Sequence, residues 1–199
     1  MTTAIMKEHP VKTLPTIGCC GIDCGLCPRY HTAGRSRCPG CAGPDFFEKH
    51  PSCGHITCCV KKRRLEVCSQ CEEFPCSKFE SWAEGDSFVT HEKTLSNLNS
   101  IRGEGLEGFM EQQRKRIGLL TTMLEKFDDG RSKSFYCLAT ALLPVTALEE
   151  SLHRAQEQIK QDKAKSGDIK TRAGILRGLL DDSAARTGVE LKLRHKKHK

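Results

Sequence analysis

The cysteines constrain this chain more than any other feature. Twelve of its 13 cysteines fall between Cys19 and Cys76, about one residue in five over that stretch. They read CCGIDCGLCP at 19–28, CPGC at 38–41, Cys53, the adjacent Cys58 and Cys59, CSQC at 68–71, and Cys76. Two residues between two thiolates let both sulfurs reach one tetrahedral ion from a single tight turn. Three such pairs so close together point to metal. Cys-rich segments of small secreted domains are more often disulfide frameworks, but the odd count fits pairing poorly. Lys7, Glu8, His9 and Lys12 leave no apolar run of signal-peptide length near the N-terminus. No stretch of 18 apolar residues exists for a membrane span. A reducing, cytoplasmic setting is therefore expected, where thiols persist or bind metal.

At 199 residues the chain has room for one domain or two small ones. Its hydrophobic content of 37% is low for one large core. Metal can replace missing core in a small module, because ligand binding and folding are coupled. The formal net charge of +7 overstates the true balance. Each four-thiolate zinc site carries −2, so two sites would add about −4 to the N-terminal half.

Four segments are expected: a flexible leader over 1–17, a Cys-rich metal-binding domain over 18–80, a helical domain over 92–188 and a basic tail over 189–199. Pro10 and Pro15 discourage helix in the leader. Gly and Pro throughout 18–80 suit tight turns, with short helices expected at 58–67 and 76–83. Beyond residue 92 the period changes. Leu106, Phe109, Met110, Gln113, Ile117, Leu120, Leu124 and Phe127 step by three or four along one helix face. Asp128-Asp129-Gly130 ends that helix. SFYCLATALL, starting at Ser132 or Ser134 and stopping at Pro144, is apolar nearly all round and reads as a buried central helix. Thr146 with Glu149 forms a capping-box pattern for a third helix. Gly167-Asp168 opens a fourth, ending near Gly188. The fold class is mainly α: a metal-stabilised Cys-rich module followed by a bundle of about four helices.

CGIDCGLCP, then CPGC, then a stretch with Cys53, Cys58 and Cys59, then CSQCEEFPC resembles the bacterial and archaeal Cys-rich family called domain of unknown function 3795. The matching positions are Cys20, Gly21, Asp23, Cys24, Cys27, Pro28, Cys38, Gly40, Cys41, Cys53, Cys59, Cys68, Cys71, Phe74, Pro75 and Cys76. They cover about residues 18–80. GRSKSFYCLATALLP at 130–144 and the LKLR ending are similar to the C-terminal extension of longer members. The resemblance implies zinc binding and brings no activity. Cys19 and Cys58 stand beside the family pattern as extras.

The candidate ligands are Cys20, Cys24, Cys27, Cys38, Cys41, Cys53, Cys59, Cys68, Cys71 and Cys76. Cys24–Cys27, Cys38–Cys41 and Cys68–Cys71 are the natural pairs, and the others are singles able to complete sites. Two zinc sites are expected, with the pairing open; His31, His50 and His55 are minor substitutes. The rival is an iron–sulfur cluster of the [4Fe-4S] type. Cys20-x3-Cys24-x2-Cys27-Pro28 has that look, although the run of two-residue gaps seen in bacterial ferredoxins is absent. Cys-x-x-Cys redox chemistry is a third option, but no strand leads into these pairs.

Lys61-Lys62-Arg63-Arg64 is a basic run that would suit phosphates, or equally a solvated face or a counter-charge to thiolates. Nucleic acid is therefore an unfavoured alternative. Arg131 and Lys133 at the start of the buried helix oppose its dipole unless an anion sits there. Cys137 reads as a buried, inert thiol. No phosphate loop, nucleophile elbow or HExxH zinc motif is present, and no catalytic residue is identifiable. The function expected is a non-catalytic interaction or accessory module with a protein partner met through the helical domain.

Overall fold

The computed structural model describes residues 11–50, 53–80, 85–161 and 167–195. Among them there is no strand. Five helices make the body: α1 (Thr94–Glu104), α2 (Leu106–Phe127), α3 (Lys133–Leu142), α4 (Val145–Gln161) and α5 (Ile169–Thr187). The N-terminal module is turns, single 3₁₀ turns and short helical pieces, the longest running from Gly54 through a π-helical turn to Lys62.

The periodic face of α2 is inward as expected: Met110, Leu120, Met123 and Phe127 are buried. Leu120, Met123 and Phe127 join Tyr136, Leu143, Leu148, Leu152, Leu176 and Leu180 in the body's core, while Met110 packs with Leu98 and Ile101 against the module. Each such side chain contributes roughly 1.5–3 kcal/mol by leaving water. Helix α3 is central, and its Tyr136 hydroxyl donates to the Phe127 carbonyl at 3.1 Å. Helices α4 and α5 pack together through leucines and a Ser151–Ser183 hydroxyl pair at 2.9 Å. Asp168 caps α5 by accepting from the amides of Lys170 and Thr171, and Gly188 ends it in the left-handed conformation.

Several expectations need correction. Helix α1 was not anticipated as an element of its own. Its apolar residues Leu95, Leu98 and Ile101 are thinned by Ser and Asn, which are weak helix formers. Burial of Leu98 and Ile101 against the module supplies what propensity lacks. The helix expected over 58–67 stops at Lys62, and Arg64 turns back with φ +57°. Of the one expected over 76–83, a 3₁₀ turn at Ser77–Phe79 is present, and 81–84 lie outside the described residues. The Thr146–Glu149 capping box is not formed: α4 already begins at Val145, and Glu149 pairs with Lys115 at 2.9 Å. The dipole at the start of α3 is answered from within, since Asp129 accepts from the Arg131 and Ser132 amides and the Ser132 hydroxyl.

Neither end of the described chain is loose. Residues 11–17 of the expected leader are built in: the Lys12 amide donates to the Ala42 carbonyl at 2.9 Å, and Ile17 is fully buried. Residues 1–10 lie outside the description. At the other end Val189 and Leu191 pack on the core. Arg194 then clamps Asp86, whose side chain is 1% exposed, with Nη2 to Oδ1 at 2.8 Å. The Arg194 amide also donates to Asp86, and the Asp86 amide to the Arg194 carbonyl.

Module and body are joined through the first cysteine loop. Cys24–Leu26 is one 3₁₀ turn, and its Leu26 inserts into the helical core. Beside it Gln113, buried on α2, donates to the Thr16 carbonyl at 2.9 Å and to Asp23 at 2.6 Å. At Gly21, with φ +91°, a Cβ would lie 2.2 Å from the Thr94 carbonyl oxygen. Only glycine allows α1 to approach this closely, and Asn97 seals the contact by donating to the Gly21 carbonyl.

Candidate metal centre

The closest gathering of sulfurs does not follow the Cys-x-x-Cys pairs. The Sγ atoms of Cys19, Cys59 and Cys68 all lie within 4.8 Å of one another. Cys41 joins them, with the Cys19 amide donating to its sulfur at 3.4 Å. Backbone hydrogen bonds bring these separate segments together. The Cys68 amide donates to the Cys19 carbonyl at 2.8 Å, and the Cys41 amide to the Pro15 carbonyl at 2.8 Å. Cys19 is thus pinned between the CPGC and CSQC turns, with the Gly54–Lys62 helical piece carrying Cys59 up to it. Ala42, Phe46, Ile56 and Val60 enclose the group.

The protonation pattern shows how tightly these thiols are coupled. Cys59 is drawn down to about 4, first by a hydrogen bond from Cys19 and then by one from Cys68. Cys41 is drawn down to about 7 by the Cys19 thiol. Cys19, buried and within hydrogen-bonding reach of these neighbours, is held far above the ordinary thiol range, first by its contact with Cys41. A metal ion bound here would displace the protons that these thiols hold.

A cation is built into the same interior. The Lys12 side chain is buried, with Nζ donating to the Ile17 carbonyl at 2.5 Å. Its charge favours the thiolate forms of Cys41 and Cys59. A buried ammonium beside several thiols is what a negatively charged thiolate centre needs.

Residues 16–81 match the family of proteins of unknown function DUF3795. The matched region is a third of the chain. It takes in all twelve clustered cysteines and stops short of α1. No curated protein and no solved structure matches the chain.

The other cysteines of the DUF3795 region form two further sets. Cys20, Cys24, Cys27, Cys38 and Cys53 line a cavity of about 350 Å³, which Cys19 and Cys41 also line. Burial pushes the Cys20 thiol up to about 12 and raises Cys24 and Cys27. Cys58, Cys71 and Cys76 line a much smaller cleft of about 30 Å³, which Cys59 and Cys68 also border. Phe74 and Phe79, edge to face at 5.5 Å, line that cleft too.

Both members of each natural pair border one space: Cys38 and Cys41 the larger cavity, Cys68 and Cys71 the smaller cleft. Cys41 and Cys68 also reach the inner group. Cys24 and Cys27 stay together, facing the cavity. Cys19, set aside as an extra, sits at the centre of the tightest group, and Cys58, also set aside, faces Cys71 and Cys76 across the cleft. Cys137 is buried away in α3 with its thiol pushed up to about 12 by burial, as expected of an inert core thiol. Lys12 was not anticipated, and a single lysine in a proline-flanked segment gives no signal of its role. Cys19 had one: glycines on both sides of Cys19-Cys20 let the backbone expose two adjacent side chains to different neighbours.

The basic run at 61–64 is already engaged in part. Lys61 lies over the Phe47 ring at 4.2 Å, and Arg63 pairs with Glu73 at 2.6 Å. No helix among the described residues is long and apolar enough to cross a membrane.

Proposed function

We propose that residues 16–81 form a metal-binding module in which Cys19, Cys41, Cys59 and Cys68 hold one zinc ion in a closed structural site. The observation that carries this reading is the convergence of the Cys19, Cys59 and Cys68 sulfurs within 4.8 Å, with Cys41 bonded to Cys19. Zinc–thiolate bonds of about 2.3 Å place tetrahedral sulfurs about 3.8 Å apart, so the Cys19, Cys59 and Cys68 sulfurs need only a small contraction to close on an ion, and Cys41 is the nearby fourth donor. Four soft donors without a carboxylate suit zinc or iron rather than magnesium or calcium. The site is enclosed by apolar side chains and has four donors of its own, which fits a structural role. The Lys12 ammonium offsets part of the −2 charge that four thiolates and one zinc ion carry.

In this reading the metal ties the CPGC turn, the Cys59 helical piece and the CSQC turn to the Cys19 segment, and so builds the module that α1 and α2 rest on. The chain then works as a non-catalytic accessory or interaction protein, with the helical body as the surface for a protein partner. Metal analysis of protein purified without oxygen tests the centre. About one tightly held zinc per chain, lost in Cys59→Ser and kept in Cys137→Ser, is expected. Protein that is folded and free of metal under those conditions would overturn the reading.

A further inference from the structure

The five cysteines that face the cavity are arranged around a space rather than a point. Among the described residues, no three of Cys20, Cys24, Cys27, Cys38 and Cys53 bring their sulfurs within 4.8 Å of one another. The cavity they line measures about 350 Å³. A single water needs roughly 10–15 Å³ by the same measure, so one ion with four thiolates drawn onto it would leave most of the space empty. A large void walled by thiols fits an inorganic group larger than an ion.

We propose that this cavity binds an iron–sulfur cluster of the four-iron, four-sulfide class, separate from the inner zinc site. Cys20, Cys24 and Cys27 supply three ligands, and Cys38 or Cys53 the fourth. The first three come from one short loop whose 3₁₀ turn sends Gly25 and Leu26 toward the helical body and leaves the flanking cysteines on the cavity side. The Tyr30 amide donates to the Cys27 carbonyl at 2.9 Å, which holds the end of that loop in shape. Two cationic side chains, Arg29 and Lys49, stand in the wall, where a cluster with four thiolates places net negative charge. The roof is Ser87, Phe88 and Val89, the segment that Arg194 anchors through Asp86. It puts apolar side chains between the cavity and solvent, and burial of this kind protects sulfide from water and oxygen.

Anaerobic purification followed by incubation with ferrous iron and sulfide tests the proposal, reading zinc, iron, acid-labile sulfide and visible absorbance together. The expected result is about four iron and four sulfide per chain beside about one zinc, with a broad band near about 400 nm. The Cys24→Ser/Cys27→Ser double variant should lose at least about tenfold of the iron and sulfide while keeping its zinc and helical signal. Of Cys38→Ser and Cys53→Ser, the one that lowers cluster content names the fourth ligand. Wild-type protein that takes up a second zinc and no sulfide overturns the proposal, as does iron and sulfide uptake that the double variant leaves unchanged. Should the double variant fail to fold, the wild-type sulfide measurement still decides. Wild-type protein with iron and sulfide but no zinc would sink the inner-site reading alone.

Discussion

Lys12 is a long aliphatic stem carrying a charge into a sulfur-rich interior, and that placement has a measurable consequence. Replacing it by Met keeps the packing volume and removes the counter-charge. Zinc affinity, measured by competition with a chromogenic chelator, should fall about tenfold, or about 1.4 kcal/mol. An unchanged affinity would mean that the ammonium serves only the Ile17 carbonyl. Gln113 makes a second single-residue case. Its sequence position fits the apolar stripe of α2, yet its amide holds the Thr16 carbonyl and Asp23. Gln113→Leu leaves those buried acceptors without this donor and should cost about 1–3 kcal/mol in urea unfolding. Stability equal to wild type would show that the bridge contributes nothing. Neither role is legible in the sequence, because a polar residue on an apolar stripe reads as tolerated until its partner, about 90 positions away, is known.

Elements with their own strong periodicity could be read in advance, and those that depend on neighbours could not. Helix α2 matches its expected range because its apolar residues repeat at helical spacing. Helix α5 matches because Asp168 and Gly188 mark its two ends. Helix α1 escaped notice because half of its justification lies in the module it rests on. The same holds for the candidate site. Density of cysteine marked out the Cys-rich module, but spacing left open which sulfurs meet. Hydrogen bonds between distant turns, such as Cys68 to Cys19, sort the thiols, and local spacing carries no record of them. The contact between α1 and the module gives a sharp test. Gly21→Ala forces a Cβ against a backbone oxygen at a φ that alanine disfavours. A loss of more than about 2 kcal/mol in unfolding free energy is expected, from strain at a special backbone position. A loss below about 0.5 kcal/mol would show that α1 readily moves aside.

For the molecule as a whole, the Asp86–Arg194 pair decides how firmly the cavity is roofed. Its carboxylate is 1% exposed and makes bonds to both side chain and backbone of Arg194. Burial alone would raise the Asp86 carboxyl, but the bonds from Arg194 and the His91 amide outweigh it and hold the group below its ordinary value. A carboxyl lowered on folding adds stability that is fully present above its unfolded value near about 3.9, and loses it as pH falls through the lower folded value. From about pH 5 to about pH 8 the clamp is therefore at constant strength. Arg194→Ala should raise deuterium uptake over residues 86–91 by about the same factor throughout that range. A difference that vanished at either end would point to another titrating group as the anchor.

The two halves of that clamp are 108 positions apart in the chain. During synthesis all twelve clustered cysteines leave the ribosome well before Arg194 does, so for an interval the module has its sulfurs while its roof lacks an anchor. Closing so long a loop is entropically costly, and the finished helical body offsets that cost by holding Val189 and Leu191 in place. Under the proposed cluster reading, the nascent module gives inorganic cargo its widest access, and the anchored segment narrows that access in the finished chain without closing it. Loading of the finished protein is then expected to be slower than loading during synthesis, and not blocked.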